Sequence, residues 1–269
     1  MKKIKDVPFP FMELPLEIRY MIYKECLVES ARDLSFVSKS TGRDVFRGTL
    51  KRGNTPWGGY TYKAKREHSY DPNRTALQPV ILRLNKAIRD EAIQLLYTQT
   101  FHFATTYTFL AWFARISPAN CMLLRSIVVK GWTGYSPGRT KDVQHIFSML
   151  KSATNIKSLL LDRHVWCDNS GVNGYYYKRS FVGDAYNFWR DIEYWADAMD
   201  AAHGKGAAKA ALKFTKVCFG SLQEIKDGDE NVEKREKDFM AQLKFSEKAE
   251  KVEKVEQAEK AEEAEEAAQ

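Results

Sequence analysis

Hydrophobic positions along this chain change period several times, and each change predicts an element. Ile81, Leu84, Ile88, Ala92 and Leu95 recur at steps of three and four, which predicts one helical face beginning near Pro79. A proline in the first turn removes an N–H that has no helical partner anyway. Phe101-His102-Phe103 follows as a short strand, then an aromatic helix through Phe109, Trp112, Phe113 and Ile116 that stops before Pro118. Arg125 to Lys130 reads as a buried strand, Val143, Ile146, Phe147 and Leu150 as a helix, and Ile156 to Leu161 as a further strand. Asp184 is a candidate cap for a long helix carrying Phe188, Ile192, Trp195 and Met199, with Gly204 and Gly206 beyond its end. Leu212 to Phe219 completes the series.

Two of these strands are related. Leu124-Arg125-Ser126-Ile127-Val128-Val129 matches Ile156-Lys157-Ser158-Leu159-Leu160-Leu161 in residue class at every position. Strand-helix-strand units of this kind require parallel pairing with a crossover. The expected fold is therefore α/β: N-terminal helices, then irregular helix/strand units resembling leucine-rich repeats, around a short parallel sheet.

Near the start, Leu14-Pro15-Leu16-Glu17-Ile18-Arg19-Tyr20-Met21-Ile22-Tyr23 predicts a helix with two apolar sectors. Ile18, Met21, Ile22 and Cys26 share one with Leu14, while Leu16, Tyr20, Tyr23 and Leu27 form the other. A surface helix needs only one buried face, so the second has to be covered by this chain or by a partner. Each large side chain left bare forgoes roughly 1.5–3 kcal/mol of burial.

Charge divides the chain unevenly. Residues 229–269 hold 14 acidic and 8 basic groups, while the 228 before them carry a net charge of +13. The tail, with Ala or Val at every third position, lags the helical period and predicts a solvated helix or disorder. Lys39 to Arg74 is a basic insertion with nine basic and three acidic residues, glycine clusters and a hairpin expected between Asp44 and Lys63. Its Lys51, Arg52, Lys63, Lys65 and Arg66 are the candidate basic patch for a nucleic-acid backbone. The organisation expected is thus 8–105 with the insertion at 39–74, a repeat-like region 106–228, and the charged tail 229–269.

Forty-four per cent hydrophobic residues exclude wholesale disorder. Cys26, Cys121, Cys167 and Cys218 form no Cys-x-x-Cys pair, so reduced thiols in an intracellular protein, of cytoplasm or nucleus, fit best. Ala92 to Ala114 lacks Lys, Arg, Asp and Glu, but its threonines, glutamines and His102 argue against a membrane span. Gly134-Tyr135-Ser136-Pro137-Gly138 has the outline of a hydrolase elbow, yet Pro137 lacks the N–H that would stabilise an oxyanion. The five histidines have no ligand spacing. No catalytic residue, cofactor or metal is expected.

Leu14-Pro15-Leu16-Glu17-Ile18, with Ile22 and Leu27, resembles the opening of an F-box. Joined to Ile81 through Ala92, Leu95-Leu96-Tyr97 and the Phe-x-Phe strand at 101–103, it looks like the F-box-like families of filamentous fungi over about the first 105 residues. An ordinary F-box runs on into two further helices, where this chain has the basic insertion. The resemblance implies an adaptor: Leu14, Pro15, Ile18 and Ile22 would face the Skp-type subunit of an SCF ubiquitin ligase, and the downstream repeats would hold an as yet unidentified protein substrate. A basic nucleic-acid-binding module and a structural scaffold stay open as alternatives.

Overall fold

The two related segments lie side by side in one sheet with their sequence offset preserved. Ser126, Ile127, Val128 and Val129 pair in parallel with Ser158, Leu159, Leu160 and Leu161. The computed structural model describes residues 10–28, 34–38, 45–54, 60–66, 78–132, 140–163, 181–215, 219, 228 and 230–243.

Within these residues the strands are β1 (Leu34–Ser38), β2 (Val45–Asn54), β3 (Tyr60–Arg66), β4 (Thr100–Phe103), β5 (Ser126–Trp132), β6 (Ser158–Arg163) and β7 (Leu212–Phe214). The helices are α1 (Leu16–Leu27), α2 (Lys86–Tyr97), α3 (Thr106–Phe113), α4 (Pro118–Cys121), α5 (Thr140–Leu150), α6 (Phe181–His203), α7 (Ala207–Ala211) and α8 (Glu230–Gln242). Two 3-10 turns, η1 (Phe11–Glu13) and η2 (Pro79–Arg83), precede α1 and α2.

The strands form one sheet in the order β3-β2-β1-β4-β5-β6-β7. From β1 to β7 the five neighbours run parallel. The insertion adds β2 and β3 antiparallel at one edge, so the sheet is mixed, and the expected hairpin is present. The α/β architecture read from strand-helix alternation is the fold.

Alternate strand residues point to one face. Phe101 and Phe103, Ile127 and Val129, Leu159 and Leu161 are all buried there, beneath α3, α5 and α6. Val143, Ile146, Phe147 and Leu150 of α5 are each no more than 1% exposed, as their spacing predicts. An aromatic group of Phe36, Phe101, Phe103 and Trp112 ties β1 and β4 to α3 at ring distances of 5.0–6.0 Å. Gly204 and Gly206 adopt positive φ just past α6, which lets the chain turn out of the helix.

Several boundaries differ from the sequence expectation. The face predicted from Ile81 to Leu95 is broken: η2 ends at Arg83, Asn85 caps a separate α2 by accepting from the Ala87 N–H at 2.8 Å, and Leu84 at the junction is 69% exposed. Asn85 offers the backbone a capping bond that a continuous helix would not need. Helix α6 starts three residues before Asp184, which lies inside its first turn and not at its cap. In the segment Leu212 to Phe219, the strand among the described residues is Leu212–Phe214. The charged tail begins with α8, whose Val232 and Phe239, with Leu243, enter the main core, so the packed body extends to 243. Because β1 and β4 share the sheet with β5–β7, residues 8–105 and 106–228 are joined through one sheet. The apolar stretch 92–114 is divided among α2, β4 and α3, and no helix among the described residues is long and apolar enough to cross a membrane.

Candidate functional site

Pro15 stands immediately before α1, and its carbonyl accepts the N–H groups of Ile18 and Arg19, both at 3.1 Å. The helix then divides across its length into a seated half and a bare half. Tyr23 and Leu27 are fully buried and form a small core with Ile81, Ile88 and Ala92. The ring of Phe11 packs on Tyr23 at 5.8 Å.

A polar clasp sits beside that core. Arg19 donates from Nε and Nη2 to the Glu91 carboxylate at 3.0 and 2.9 Å, a two-pronged contact across the α1–α2 junction. Tyr23 donates its hydroxyl proton to the same carboxylate at 2.9 Å. Arg19 Nη1 also reaches back to the carbonyls of Leu14 and Met12, at 2.6 and 3.0 Å, fixing the chain that enters the helix. A planar guanidinium suits this use because it offers five donors in a rigid fork. Hydrogen bonds from Arg19, then Tyr23, hold the Glu91 carboxyl below its usual range. Burial first, and the Glu91 hydrogen bond second, push the Tyr23 hydroxyl up to about 12.

In the first turns of α1, large apolar side chains face outward. Leu16 is 55% exposed, Ile18 43%, Tyr20 49% and Met21 63%. Of the residues the F-box resemblance assigns to a Skp-type partner, Pro15 and Ile18 are exposed, and Leu14 and Ile22 are half-buried. Neither sector is covered as a whole by this chain. Burial divides each sector: Tyr23 and Leu27 are sealed while Leu16 and Tyr20 of the same sector are bare, and Ile18 and Met21 are bare while Cys26 is half-buried. The reason is where α2 and η2 pack: they cover the C-terminal turns of α1 and leave its first turns uncovered.

The insertion supplies a second feature. In the hairpin Lys51 pairs with Lys63, Thr49 with Lys65, Arg52 with Tyr62, and Gly48 with Arg66.

The hydrolase-like segment 134–138, Cys167 and Cys218, and residues 244–269 lie outside the described residues. Cys26 and Cys121 are free thiols. Among the described residues no three His, Cys, Asp or Glu side chains gather as a metal site.

Sequence reasoning missed the clasp itself, although a signal existed. The resemblance depended on two segments 72 residues apart, and the structure joins them through Arg19 of one and Glu91 of the other. No curated protein and no solved structure matches the chain significantly. The model of one family, described as Domain of unknown function (DUF7730), matches residues 4–150, a span that holds α1, its clasp to α2 and the first strands of the sheet, and the chain belongs to that family.

Proposed function

We propose that this protein is a non-enzymatic, F-box-like interaction module that seats a Skp-type adaptor subunit on the first turns of α1 and recruits a protein substrate to an SCF-type ubiquitin ligase, inside the cell in cytoplasm or nucleus. The observation that carries the reading is the bare apolar half of α1, with Leu16, Ile18, Tyr20 and Met21 outward on a helix held in place by Arg19 and Glu91. Single exposed apolar residues are ordinary, but four within six residues of one helix mark an interaction site. Covering them would bring the transfer free energy that folding alone leaves unused.

The test is co-purification of the Skp-type subunit with the full chain and with Ile18→Asp and Met21→Asp variants. Capture by the native chain and loss in both variants, at unchanged thermal midpoint, supports the reading. Capture that survives both charges, or no capture by the native chain, removes it.

One observation favours a second reading, a nucleic-acid-binding hairpin: the register pairs Lys51 with Lys63 and sets Lys65 opposite Thr49, so that three basic positions fall close together along the two strands. Lys51→Glu with Lys63→Glu would then weaken single-stranded DNA binding and flatten its salt dependence. Binding that is indifferent to salt counts against this reading.

A further inference from the structure

A cleft of about 480 Å3 lies along α2, on a different side from the clasp, between its first turns and α4. Its lining has one electrostatic sign. Arg83, Lys86 and Arg89 line it, and no Asp or Glu does. Lys86 and Arg89 are neighbours one turn apart on α2, and Arg83 closes η2 just before them. Asp90 lies 3.6 Å from Arg89, but it is not part of the lining.

This arrangement runs against helix electrostatics. The N-terminus of a helix carries partial positive charge and is stabilised by acidic residues, yet the first turn of α2 has none and begins with Lys86. Unlike the N-terminal turn of α8, which carries Glu230 and Glu233, that of α2 adds cations to an already positive end.

A second observation points the same way. Tyr97 lines the inner part of the cleft and is only 7% exposed. Its hydroxyl oxygen accepts from Asn120 Nδ2 at 3.2 Å, while its own O–H has no acceptor among the described residues. The cleft therefore offers three cations and a nearly buried hydroxyl proton, all donors. The complement is a ligand made of acceptors, and an ionised carboxylate is acceptor-only. The bare side chain of Leu84 and the half-buried Ile93 lie beside the cations, so the ligand also has apolar groups to place.

We propose that this cleft is a docking site for an acidic peptide segment of a partner protein, with carboxylates on Arg83, Lys86 and Arg89 and an apolar side chain against Leu84 and Ile93. The site is independent of the α1 face and stands whether or not a ligase subunit binds there. A peptide fits better than a nucleic acid because the charges are confined to about two helical turns and adjoin apolar surface, whereas a nucleic-acid track extends along a backbone.

The experiment pans a displayed library of random peptides against the immobilised full chain. Enriched sequences are expected to carry several Asp or Glu residues around an apolar one. Their recovery should fall about tenfold or more with Arg83→Glu/Arg89→Glu and hold with Lys51→Glu/Lys63→Glu. Arg83 and Arg89 are exposed, so the variant should keep the native thermal midpoint; if it does not, Arg83→Gln/Arg89→Gln gives the same readout. Enrichment without acidic character, recovery unaffected by the cleft variants, or equal displacement by a short single-stranded DNA would overturn the proposal.

Discussion

Arg19, Tyr23 and Glu91 are the residues on which the N-terminal helix depends for its place. Because Tyr23 donates to an ionised carboxylate, Tyr23→Phe should keep the ring in its core but lower unfolding stability by about 1–2 kcal/mol, measured by urea titration. The clasp also carries a pH signature. Glu91 has its folded pKa depressed, so its contribution is present above the ordinary carboxylate value of 4.5 and is lost as pH falls through the lower folded value. Tyr23 has its folded pKa raised, so its contribution is complete below the ordinary value of 10.0 and is lost as pH rises towards about 12. Stability measured against pH should fall at both ends for the native chain. In Glu91→Gln the acid-side loss should shrink, and an unchanged acid limb would show that other carboxylates govern it. None of the three residues is singled out by hydrophobic pattern, since two are polar and the third, Tyr23, reads simply as an apolar position. Only the joint occurrence of the two segments carried the hint.

At the scale of elements, periodicity succeeds where one face of a helix meets one core. All four predicted positions of α5 are buried, and Phe147 meets Phe188 and Trp195 at 5.8 and 5.9 Å. Phe147→Ala should therefore lower stability by about 3–5 kcal/mol, seen as an earlier thermal midpoint. A loss under 1 kcal/mol would mean that the surroundings collapse into the space. Between Pro79 and Tyr97 periodicity is less successful, because the capping bond of Asn85 starts a new helix and turns Leu84 outward. Helix α2 also meets two cores, Ile88 and Ala92 in the small one and Tyr97 in the large. A single-stripe reading has no place for an element with apolar contacts on two sides.

For the whole molecule, the sheet and its helical layer make one body that reaches beyond the point where the sequence turns charged. Phe239 packs with Phe188, Phe214 and Phe219 at 5.3–5.9 Å, so α8 belongs to the core despite its composition. Phe239→Ala should shift the urea midpoint by about 3 kcal/mol of stability, and a silent substitution would detach α8 from the cooperative unit. What the sequence alone determined was local: strand and helix alternation, the 32-residue kinship of β5 and β6, and an N-terminal helix with more apolar surface than one face can bury. Each is set by side-chain period along a short run of backbone, which any reader of the chain can count. Tertiary structure alone decided which turns of α1 were covered, which cation met Glu91, the register in which the hairpin strands paired, and that Arg83, Lys86 and Arg89 gathered at one cleft. These depend on contacts and registers between segments tens of residues apart, and packing selects among them by burial and charge that no local pattern encodes.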